Sequence, residues 1–122
     1  MRRVVMLGLA LSLMACGDAT APSGSVNGTY SLRTINGFNL PYTFSTGATL
    51  VSDVLTLNAD GSFFDVSQYS DGSTNTQSGF YSSINGSIQL SDQTNGATYQ
   101  ASLSGSVLTE IVPGFTEAFQ KN

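Results

Sequence analysis

The chain has 122 residues, with eight acidic side chains against four basic ones, one cysteine and no histidine or tryptophan. This length suits one domain, and the missing histidine removes Ser-His-Asp and Cys-His catalysis together with the usual zinc sites. A formal charge of −4 without a basic patch excludes a nucleic-acid binder, which needs Lys and Arg to neutralise phosphates.

In chain order, Arg2 and Arg3 come first, then an apolar run from Val4 to Met14 broken only by Gly8 and Ser12, then the small Ala15 before Cys16. That is the layout of a secretory signal. The run is shorter than the roughly 20 residues a spanning helix needs, so residues 1–15 are expected to be removed. Leu13-Met14-Ala15-Cys16 resembles the lipobox of bacterial lipoproteins. The resemblance implies a diacylglyceryl thioether on Cys16, cleavage before it, and a further acyl chain, such as palmitate, on the new amine. Two chains give stable anchoring at about 0.8 kcal/mol per buried methylene. Gly17 stands where an aspartate would retain such a protein in the inner membrane, so the resemblance favours the outer membrane in a bacterium that has one.

Residues 16–27 form a lipidated tether, with Gly17 to Val26 reading GDATAPSGSV. As a coil this stretch reaches on the order of 15–20 Å. Beyond the signal only Arg33 and Lys121 are basic, against all eight acidic residues, a surplus taken as a solubility device. No second cysteine remains for a disulfide, so stability must come from a packed core. All twelve Phe and Tyr side chains are available for it, at about 150–250 Å² each.

Residues 28–122 read as strands and turns. Asn36-Gly37, Asn85-Gly86, Asn95-Gly96, Asp60-Gly61 and Asp71-Gly72 punctuate the text, and Asn27-Gly28 has the same form. Expected strands run over 29–35, 49–57, 62–69, 79–84, 87–91, 97–103, 107–111 and 115–119. The 49–57 segment is apolar on both faces, which predicts a bulge or double cover. Pro41 makes 40–44 an edge or irregular crossing, and 71–77 reads as a polar loop. The fold class is all-β: an antiparallel meander of 7–9 short strands closing into a small barrel, which removes exposed edges. A β-sandwich is the alternative.

Gly28-Thr29-Tyr30, the stretch Leu55 to Phe63, and Gly79-Phe80-Tyr81 with Asn85 to Leu90 resemble the small lipocalin-like, calycin-type domains of bacterial lipoproteins. The resemblance implies a small barrel, and the missing catalytic residues point to a non-catalytic role. Independently of the resemblance, the aromatic side chains Tyr30, Phe44, Phe63, Phe80, Tyr99 and Phe119 are the candidate lining of a site for a small hydrophobic ligand in the barrel mouth, although an eight-stranded barrel is just wide enough to be filled by such side chains.

The remaining chemistry is sparse. Asp53, Asp65, Glu110 and Glu117 fall in expected strands and read as outward-facing carboxylates. Only a close pair of them in a cleft would suggest glycoside hydrolysis. Asn58 to Gly61 reads as a hairpin turn rather than a calcium loop. No cofactor and no metal ligand set is expected, and the protein is not expected to be an enzyme. The expected product is an exported monomer, held at the cell envelope by acyl chains on Cys16. It would bind a small apolar ligand or, alternatively, serve as a structural or protein-interaction module for an envelope partner.

Overall fold

A computed structural model describes residues 26–122; the expected signal peptide, the expected lipidation at Cys16 and the expected tether through residue 25 lie outside the described residues. Ten strands follow in chain order: β1 (Gly28–Ile35), β2 (Phe38–Asn39), β3 (Tyr42–Thr43), β4 (Thr49–Leu57), β5 (Ser62–Tyr69), β6 (Thr74–Ile84), β7 (Ser87–Asp92), β8 (Thr98–Ser104), β9 (Val107–Val112) and β10 (Phe115–Lys121). From β4 through β10 each strand pairs antiparallel with the next, β10 pairs with β1, and β1 pairs with β4 to close the ring. The result is an eight-stranded antiparallel meander barrel. The short β2 and β3 are edge additions to β1 and β4 on either side of Pro41. The single sheet rules out the sandwich.

Turn chemistry accounts for the hairpins. Asn36-Gly37 and Asn85-Gly86 have positive φ at both residues (52° and 83°, 53° and 82°), the I′ geometry whose twist matches that of paired strands. Asn27-Gly28 is not a turn: Gly28 opens β1 beside Lys121. The 71–77 segment is also not a loop. Thr74 to Gln77 begin β6 and pair with Gln68 to Asp65. Their side chains are polar on both faces because the outer face meets water and the inner face meets a polar lumen, so no alternation marks the strand.

Two bulges shape the barrel. Val51 is the extra residue on β4, which lets Leu50 and Asp53 both face inward and leaves Val51 exposed. Arg33 is the extra residue on β1, which lets Leu32 and Ile35 both face inward. Beyond the Ser31–Val54 pair the two strands splay, and a gap opens between them, bordered by Arg33, Asn39, Val51 and Asp53.

The register orders the interior by depth. At the end where β1 begins, Tyr30, Leu55, Leu57, Phe63, Ile88, Leu90, Leu108 and Phe119 are buried in one apolar cluster. Val26 packs into this cluster and accepts a 2.6 Å hydrogen bond from the Tyr30 hydroxyl, so the packed unit begins two residues before β1. The opposite end, where β5 and β9 finish and β10 begins, is ringed by Tyr42, Phe44, Tyr69 and Phe115, only partly buried. The barrel is therefore plugged at one end and open at the other.

Candidate functional site

Above the apolar plug the lumen holds a cavity of about 210 Å³. Asp53 from β4, Asp65 from β5, Asp92 from β7, Glu110 from β9 and Glu117 from β10 all line it. Five of the eight acidic side chains of the chain thus point inward. This corrects the outward placement expected for Asp53, Asp65, Glu110 and Glu117, and also the reading of the acidity as a solubility device. Strand parity is the physical reason. Glu110 alternates with Leu108 and Val112, Glu117 with Phe115 and Phe119, and Asp53 with Leu55 and Leu57, so each carboxylate shares the face of apolar side chains that must be inside. Asp92 lies one residue beyond the expected strand over 87–91, which in fact runs to it. It continues the inward series Ile88, Leu90, Asp92 and is 1% exposed.

These carboxyls are poorly compensated. Asp53 Oδ1, Asp65 Oδ1 and Asp92 Oδ2 are buried without a hydrogen-bond partner, while the other Asp92 oxygen accepts from the Thr94 amide at 2.8 Å. Neither Arg33 nor Lys121, the two basic side chains among the described residues, lines the cavity. Burial and mutual repulsion favour the protonated forms of Asp53, Asp65, Glu110 and Glu117. Burial, together with the neighbouring charge of Glu117, pushes Glu110 up to about 8, and Glu117 itself is raised to about 7, chiefly by burial and then by Asp53. Asp53 and Asp65 are hydrogen-bonded to each other. Burial raises both, and the bond between them holds one proton for the pair. The Ser67 hydroxyl opposite Asp53 also bonds it. Tyr69 is raised by burial and by the carboxylates beneath it.

The rim is aromatic. Tyr42, Phe44 and Phe115 make edge-to-face contacts with ring centroids 5.1, 5.4 and 6.4 Å apart. Outside them lies a cleft of about 650 Å³ between the 44–49 and 69–75 segments, which shares Phe44, Tyr69 and Asn75 with the lumen. The two spaces adjoin at these three side chains, with the cleft outside and the carboxyls within.

Of the six aromatic candidates, Tyr30, Phe63 and Phe119 are buried in the core cluster, where Phe63 also forms part of the cavity lining, and Phe44 and Tyr99 line the lumen. Phe80 does not belong with them. It lies on the outer face of β6, 60% exposed, opposite Ser62 and Ser91. The inward positions of that strand are Gln77, Gly79 and Tyr81 (Gly79 is buried). A Cβ on Gly79 would lie 2.0 Å from the Ser91 carbonyl and 2.9 Å from the Phe63 ring.

No three His, Cys, Asp or Glu side chains among the described residues are placed to hold a metal ion, despite the five carboxyls of the lumen. Asp60 and Asp71 are turn residues outside it, each accepting from a serine two positions on, Ser62 or Ser73. The turn geometry at Asp60 is that of a hairpin, as its sequence suggests. The chain matches no known protein-family model, and no curated protein or solved structure is significantly similar to it.

Proposed function

We propose that this protein is a lipid-anchored, non-catalytic binding barrel of the cell envelope, built on a small lipocalin-like domain, that takes a small ligand through its open end. The observation that carries this is the 650 Å³ outer cleft adjoining the 210 Å³ lumen at Phe44, Tyr69 and Asn75, at the end of the barrel opposite Val26. A chain tethered through residues 16–25 would leave from the plugged end, so an anchor on Cys16 would turn the mouth away from the membrane.

The lumen's size and lining bear on the ligand. Enclosed ligand sites measure about 300–1,000 Å³, so the lumen admits one end group and the body lies across the aromatic rim. A purely apolar ligand is a poor match for five carboxyls. The Asp53–Asp65 pair is the close pair that acid–base chemistry would need, but carboxyls hydrogen-bonded to each other stand closer than the roughly 5–9.5 Å that glycoside hydrolysis needs. Binding is therefore preferred to hydrolysis.

The alternative, a protein-interaction module, has one observation in its favour: Phe64, Phe80 and Ile84 are exposed on the outer face of β5 and β6. Two experiments test these proposals. Cys16→Ser should move the protein from the membrane fraction to the soluble one; a variant that stays membrane-bound at unchanged size removes the anchor. Native mass spectrometry of the chain from its own host should show a retained small-molecule adduct, whereas a bare mass with a co-purified protein would favour the interaction module.

A further inference from the structure

We propose that the ligand of this barrel is a small amphipathic organic cation, a protonated amine on an apolar body, with its ammonium group among Asp53, Asp65, Asp92, Glu110 and Glu117 and its body against the aromatic rim. This rests on the binding function proposed above and names the chemistry of its ligand. The acidic lining alone would not justify it. The further observation is that three buried carboxyl oxygens, Asp53 Oδ1, Asp65 Oδ1 and Asp92 Oδ2, have no donor, on side chains only 6%, 8% and 1% exposed that line the cavity. A buried acceptor without a partner is costly, and an ammonium group supplies up to three N–H donors and the missing positive charge at once.

The surroundings select among cations. Among the described residues no three carboxyls are placed to hold a metal, which disfavours a bare inorganic ion. Tyr42, Phe44 and Phe115 present rings at the entrance, with Tyr69 and Tyr99 below. Rings attract a cation that passes over their faces and bury the carbon attached to it. The small lumen takes the head group, and the cleft shared at Phe44, Tyr69 and Asn75 takes the rest.

Protons compete for the same oxygens. Asp53, Asp65, Asp92, Glu110 and Glu117 face the lumen with the phenols of Tyr69 and Tyr99, and raised carboxyls hold their protons when no cation is present. Cation entry should expel protons, so binding should tighten from pH 5 to pH 8.

The test is calorimetric titration of the full chain with phenethylammonium chloride, its neutral counterpart 2-phenylethanol, and calcium chloride. Phenethylammonium is expected to bind one to one and to release protons, detected as a heat that changes with the buffer's ionisation enthalpy. 2-Phenylethanol should bind about tenfold more weakly, the scale of one charge-assisted hydrogen bond. Glu110→Gln with Glu117→Gln should weaken phenethylammonium by about the same factor and reduce the proton release that accompanies its binding. Equal binding of the two aromatic probes would overturn the cation and leave the binding barrel standing. Calcium binding that excludes phenethylammonium would replace the amine with an inorganic ion. Binding by none of the three would overturn both the cation and the binding barrel.

Discussion

Asp53 and Asp65 sit diagonally across the β4–β5 pair, on the inner face of the barrel, and their carboxyls share a hydrogen bond. That bond exists only while the pair retains a proton, because two ionised carboxylates repel. Asp53→Asn supplies a donor that cannot ionise. It should raise the melting temperature at pH 8 by roughly 5 °C, the equivalent of about 1 kcal/mol in a domain of this size, with little change at pH 5. Circular dichroism melts at the two pH values check it; a loss of stability at both would mean that the carboxylate form is the one the fold needs.

The whole lumen should make stability fall with rising pH. Asp53, Asp65, Glu110 and Glu117 all have folded-state values above the ordinary ones, so the native chain holds protons that the unfolded chain has already released. The stabilisation is complete below about pH 4 and is lost progressively as pH rises through the folded values of Glu117, about 7, and Glu110, about 8. Asp60 and Asp71 work in the opposite sense. Bonds from Ser62 and Ser73 lower them, so their contribution is lost only in strong acid. Urea midpoints should be higher at pH 5 than at pH 8.5. A flat profile, or one rising with pH, would contradict the inward placement.

Gly79 tests how closely β6 and β7 approach. Its Cβ position is occupied by the Ser91 carbonyl and the edge of Phe63, and backbone cannot swing aside as a flexible side chain would. Gly79→Ala should cost about 1–3 kcal/mol, measured as a lowered urea midpoint, even though alanine suits a strand better than glycine.

Much of the fold was legible because period-two alternation and Asn-Gly or Asp-Gly reversals are local signals. Asn85-Gly86 and the alternation around it specify the β6–β7 hairpin without reference to the rest of the chain. The acidic lumen was not read, although its signal was present. Leu108-Thr109-Glu110-Ile111-Val112 has Glu110 on the Leu108 and Val112 face, but the expectation that charge lies outside overrode parity. Phe80 failed for the complementary reason. Aromatic size suggested the interior, while Gly79, the residue that faces inward there, has no side chain to mark its face. The Val51 bulge was legible only as a contradiction: β4 carried too many apolar residues for one face.

The two outer and inner phenylalanines should behave differently. Phe80→Ser removes an exposed ring and should change stability by no more than about 0.5 kcal/mol while leaving phenethylammonium binding intact. Phe119→Ala opens a hole in the plugged end, where Phe119 is fully enclosed, and should cost about 3–5 kcal/mol. Equal losses from the two variants, read from urea unfolding, would mean that β6 presents the other face.

The central claim is a barrel whose interior carboxyls resist ionisation. Carbon-13 NMR titration of the aspartate and glutamate carboxyls tests it most directly. The result predicted is Glu117 and Glu110 with midpoints near 7 and 8, and the Asp53–Asp65 pair also above the ordinary range. Every carboxyl titrating near its ordinary value, about 3.9 for Asp and 4.3 for Glu, would contradict it.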